Sequence, residues 1–210
     1  MSDVGWTLVG IAVWGIFAIL LVRGVARDRR RASESLASLG LEVLRTSVVD
    51  PRQMREPRAV ARGRYRGLDV VVEDFVALLE DGSESLHTRL RVDREVELPV
   101  LVARSGSFPS ARELPEHLHR HRAPALEGWG VAHVADARGE SLLKSILATD
   151  SWRALLAVEG AGALDELRAV DGELSLLLAG MAIDASKVGP GLDALVVVVE
   201  AAARLAERIR

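Results

Sequence analysis

The chain has no cysteine, so it can build neither a disulfide framework nor a thiolate metal site. Lysine is nearly absent too. Of 27 basic residues only Lys144 and Lys187 are lysines, and neither follows a glycine-rich loop, which excludes a P-loop nucleotide site. The dominance of arginine, with abundant alanine, leucine, valine and glycine, is the codon signature of a GC-rich bacterial genome. It weakens any claim that a given arginine was chosen over lysine for its forked donors. Catalytic grammar is missing as well. Ser105 and Ser107 in "RSGS" lack the G-x-S-x-G elbow, and the acids are dispersed. "GAGALD" at 160–165 has two of the three glycines of a dinucleotide loop but joins a helix to a strand, the reverse of the required order.

What is present begins at the N-terminus. Val4 to Val22 is a run of 19 residues without a charge. As a helix it is roughly 28 Å long, close to the hydrocarbon thickness of a bilayer. A cleaved signal peptide needs a basic start and small residues before the cut; this segment starts "MSD" and ends in Arg23, Arg27, Arg29, Arg30 and Arg31. The segment is therefore expected to be an uncleaved single-pass anchor in the bilayer. The arginines form its cytoplasmic flank, which puts the N-terminus outside and the body of the chain inside a bacterial inner membrane. Gly5, Gly10 and Gly15 do not share a helix face, so no close helix pair is expected from them.

Residues 1–27 are assigned to the anchor and its basic flank, and 28–40 to a juxtamembrane amphipathic helix. In that helix Leu36 and Leu39 share a face and Gly40 is the stop. Residues 41–210 form the cytoplasmic domain. No flexible linker separates the two, so the domain is held close to the membrane.

From 41 to 103 the texture is short β-branched runs. "LEVLRTSVV", the two halves of "VARGRYRGLDVVVEDFVALL" about Arg66-Gly67, "LHTRLRV" and "ELPVLVA" read as strands, with Asp81-Gly82 as a turn. An antiparallel meander is expected, since no helix-length segment separates them. Residues 104–128 read as loop or short helix, and "WGVAHVAD" as a strand. "SLLKSILA" and "TDSWRALLAV" read as helices, Thr149 or Asp150 capping the second. "LDELRAVDGELSLLLAG" is a hairpin about Asp171-Gly172, and a final helix starts near Pro190. The fold class is α+β: an antiparallel β-meander with helices packed on one face.

Two polar clusters stand out. His117, His119 and His121 in "EHLHRH" have ligand chemistry and would align on a strand, but no HExxH or carboxylate-rich motif accompanies them. No metal or cofactor is assigned on that basis. Arg62, Arg64 and Arg66 alternate onto one strand face, which Arg89 and Arg91 could share. That face reads either as a grip for anionic lipid or as the ordinary wet side of a sheet, balanced by Glu73, Asp93 and Glu95. His87 and His133 sit in strand patterns and read as structural.

Apart from its N-terminal arginines the chain is mildly acidic, which argues against nucleic-acid binding. The expected function is a non-enzymatic interaction or scaffold module at the cytoplasmic face, with a protein partner at the membrane. The alternative is a metal- or anionic-lipid-binding sensor, and a membrane-tethered hydrolase comes third. The sequence leaves the oligomeric state open.

Overall fold

The computed structural model describes residues 30–31, 33–44, 58–78, 84–96, 100–104, 116–160, 162–170, 172–180 and 185–207. Among these no helix is long and apolar enough to cross a membrane. The expected span 4–22 and the flanking Arg23, Arg27 and Arg29 lie outside the described residues, as does the expected turn at Asp81-Gly82.

The strands are β1 Leu41–Val43, β2 Arg58–Tyr65, β3 Leu68–Leu78, β4 Glu84–Val96, β5 Val100–Arg104, β6 His119–His121, β7 Gly130–Val134, β8 Leu164–Val170 and β9 Gly172–Ala179. The helices are α1 Ala137–Leu147, α2 Asp150–Leu156 and α3 Ala185–Glu207. Every strand pair is antiparallel, and one sheet runs β1-β2-β3-β4-β9-β8-β5-β7-β6. The fold is thus α+β, as the alternation of the strands requires.

The meander holds for β1 to β4 but does not continue into β5. The β8–β9 hairpin inserts between β4 and β5, so β4 pairs with β9 and β5 with β8. β9 sets Leu174, Leu176 and Leu178 against Val92, Leu90 and Thr88 of β4. A partnership between segments some eighty positions apart leaves no mark in the local pattern that predicts neighbouring hairpins.

Alternation splits the sheet into two faces. Val70, Val72, Leu90, Val92, Leu174, Leu176 and Leu178 lie on one, buried beneath the helices. α3 lies directly on it: a Cβ at Gly191 would stand 2.6 Å from Leu90 Cδ1 and 3.4 Å from Leu178 Cδ1. α1 and α2 pack against α3 on the same side, where Trp152, Leu143, Ile146 and Leu155 close the core. The caps are local. Asp136 accepts from the amides of Arg138 and Gly139 at 2.9 Å each, starting α1 four residues earlier than the apolar pattern suggested. Thr149 caps α2 as expected.

The hairpin turns follow the sequence. Arg66 (φ 45°) and Gly67 (φ 87°) both take left-handed conformations, the pairing a two-residue turn needs to match strand twist. At Gly63 the constraint is proximity, because an added Cβ would lie 2.4 Å from the Gly40 carbonyl oxygen.

Residues 33–37 are helical and end in a turn at Gly40 (φ 79°). Leu36 and Leu41 are both buried in the common core, with Leu39 packed against it. The 33–37 helix is thus packed into the domain's core.

α3 departs from expectation at its start. It begins at Ala185, five residues before Pro190, which lies inside the helix. The extra turn has a partner no local pattern reveals: the Ala185 amide donates to Ser35 Oγ at 2.8 Å, from the 33–37 helix.

Candidate functional site

The buried polar and charged side chains among the described residues are Glu73, Asp74, His87, Thr88, Asp165, Glu166 and Ser175. All seven stand on β3, β4, β9 and β8, four successive strands of the sheet. Buried polar groups concentrated in one place are the usual mark of a site or a specificity device.

Asp74 and Thr88 are paired across β3 and β4 on the helix-covered face. Asp74 falls on the same alternation as Val70, Val72 and Val76, so its carboxyl occupies an apolar row. Thr88 Oγ1 is 2.6 Å from Asp74 Oδ1 and 3.1 Å from the Gly180 carbonyl oxygen, while Asp74 Oδ2 is buried without a hydrogen-bond partner. Burial pushes the carboxyl above its ordinary pKa, opposed in smaller part by the Thr88 hydroxyl.

On the opposite face, His87 Nδ1 lies 3.3 Å from Asp165 Oδ2, across the intervening β9. Two local features allow this. Position 179, opposite His87 on β9, is an alanine, and a bulge between Leu164 and Glu166 inserts Asp165 as an extra residue. Both His87 ring nitrogens are shielded from solvent.

The rest of this outer face carries a charge lattice. Glu73 accepts from Arg89 Nε at 2.7 Å and stands 3.9 Å from Arg91 Nε. Arg89 reaches Glu173 at 3.5 Å, Arg91 reaches Asp93 at 3.7 Å, and Arg168 reaches Glu166 at 3.8 Å. Burial falls steadily toward the β1 edge. The Glu73 side chain is 11% exposed, whereas Arg62 and Glu42, 3.9 Å apart, are 64% and 72% exposed. Arg64, Asp69 and Asp93 are exposed with them.

Arg62 and Arg64 share this outer face with Arg89 and Arg91, as the alternation allows. Arg66 does not join them. Its place in the turn carries it to the helix side, where it meets Asp193 of α3 at 3.0 Å beside the Tyr65 hydroxyl, which donates to the same oxygen at 2.7 Å. Burial first, then Asp193, pushes the Tyr65 pKa up. Two of the three histidines share a strand. His117 lies in a turn, and His119 and His121 stand on the edge strand β6, His121 Nδ1 being 3.4 Å from Glu140 of α1. Among the described residues no group of three or more His, Asp or Glu could hold a metal ion. Of the anchor flank, Arg30 and Arg31 are exposed, and Arg30 pairs with Glu34 at 2.7 Å.

Fold and site together define an α+β domain with helices on one face of its sheet and an ion-paired lattice on the other. One solved structure with a related chain path is the crystal structure of the mycobacterial trehalose monomycolate transport factor A, TtfA. It matches with a TM-score of 0.48 and 11% identity over 83% of this chain and 93% of that one. No protein family and no curated protein sequence matches the chain.

Proposed function

We propose that the chain is a membrane-tethered interaction module: residues 4–22 cross a bacterial inner membrane and the α+β body docks a protein partner at its cytoplasmic face. The carrying observation is the burial of Leu36 and Leu41 in the domain core. The described body thus reaches back to within five residues of Arg31, which supports a domain held close to the bilayer rather than on a long tether.

The β1–β4 part of the outer face is the docking surface, with Arg62, Arg64, Glu42, Asp69 and Asp93 exposed for a partner segment of mixed charge. The lattice behind them, centred on Glu73 and Arg89, holds the strands in register and orients that surface. The shielding of both His87 ring nitrogens from solvent supports a non-enzymatic reading.

Two experiments test this. The absence of cysteine allows single-cysteine topology mapping in spheroplasts. Ser2→Cys is expected to react with a membrane-impermeant maleimide and Ser145→Cys to react only after lysis; the reverse pattern overturns the topology. For docking, R62E/R64E is expected to lose the partner that co-purifies with the wild-type chain in mild detergent, while R138E on exposed α1 retains it. Equal retention by both removes the outer face from the account.

A further inference from the structure

We infer that the membrane-proximal helix and the first turn of α3 form a latch, hinged at Gly189-Pro190-Gly191, through which events at the membrane reach the domain. Three independent features build it. Ser35 accepts the Ala185 amide at 2.8 Å across 150 positions of sequence, so the first turn of α3 is capped by a side chain from another helix. Pro190, inside α3, has no N–H to give the carbonyl of Ser186, which removes one rung of the ladder where residues 185–189 join the rest of the helix. The glycines on either side differ in a way that suits a hinge. Gly191 is pinned, since any Cβ would enter Leu90 and Leu178, whereas Gly189 has open space around it.

On the pinned side, Leu192, Leu195 and Val198 are buried in the core and cannot move without opening it. On the other side Val188 is fully buried, Lys187 lies beside Gly162, and the Ala185 amide is capped by Ser35. Leu36, the neighbour of Ser35, is itself buried in the common core, which holds the helix that carries the cap. A shift of the 33–37 helix withdraws the cap and loosens residues 185–189 while leaving the remainder of α3 in place. The inference rests on the membrane-tethered reading for what moves the latch, but the latch and hinge stand on contacts within the chain.

Hydrogen exchange on the full chain in detergent micelles, without partner, tests it. Ser35→Ala is expected to speed exchange at 185–189 by about 2- to 30-fold, the range for loss of a capping hydroxyl, and to leave 194–201 unchanged. Ser35→Thr, which keeps a hydroxyl, is expected to restore protection. In P190A, which makes the ladder continuous, the S35A effect should spread across both windows. Unchanged exchange at 185–189 in S35A overturns the latch, and an equal rise at 194–201 with Pro190 in place overturns the hinge. Because no partner is present, either failure is separate from failure of the docking reading.

Discussion

Asp74 places a carboxyl in a row of valines, and its hydrogen-bond geometry fixes what that costs. The Thr88 hydroxyl has one proton and two acceptors in reach, Asp74 Oδ1 and the Gly180 carbonyl. All are served only if the protonated carboxyl donates to Thr88 and Thr88 donates to Gly180. In the ionised form the orphaned Oδ2 carries charge in an apolar layer. The sign follows from the raised pKa: the folded state favours the protonated acid, so this group costs nothing below the ordinary carboxylate value near about 3.9 and destabilises increasingly as pH rises past it. Asp74→Asn is therefore expected to stabilise the domain at pH 8 by about 1–3 kcal/mol, and by less at pH 4.5. Urea unfolding at both pH values checks this, and an equal effect at the two would count against a protonation-linked cost.

Gly63 offers a steric test at the same scale. Ala at this position must push the Gly40 carbonyl away, so Gly63→Ala is expected to cost about 1–3 kcal/mol of stability. Gly128→Ala, where nothing lies within 4 Å, bears only the strain of its φ of 78° and serves as the comparison. Thermal melts that rank Gly128→Ala as the worse variant would contradict the close approach of β1 to β2.

At the scale of elements, the outer-face lattice makes β3, β4 and β9 one unit. Glu73→Gln leaves Arg89 and Arg91 half-buried with weakened partners, at an expected cost of about 1–3 kcal/mol that shrinks as salt is added. Denaturant midpoints at low and high ionic strength read this directly; a loss independent of salt would assign the effect to packing. The elements whose signals are local were legible in the sequence: the β2–β3 turn at Arg66-Gly67, the β8–β9 hairpin at Gly172, the Thr149 cap and the stop at Gly40. What escaped depended on distant partners. The insertion of β8–β9 beside β4 needs a pairing across the chain, and the early start of α3 needs a hydroxyl from Ser35. In "EHLHRH" the sequence offers ligand chemistry, but as edge strand β6 it sends His121 to Glu140 and leaves His117 in the turn. Asp74 was readable in principle, as the one charge on the apolar alternation of β3. His87 needed the bulge at Asp165, which has no sequence signature.

At the scale of the whole molecule, the two sheet faces divide the work. The helix-covered face folds the domain and takes in the 33–37 helix through Leu36 and Ser35. The other face carries paired charges that grow more exposed toward β1, the surface we propose docks a protein partner. The measurement that bears most directly on this account is site-specific photo-crosslinking in intact membranes, with a photoreactive residue at position 64 on the outer face or at 144 on α1. The account predicts a discrete protein adduct from position 64 and none from position 144. An adduct from 144 with none from 64 would contradict it.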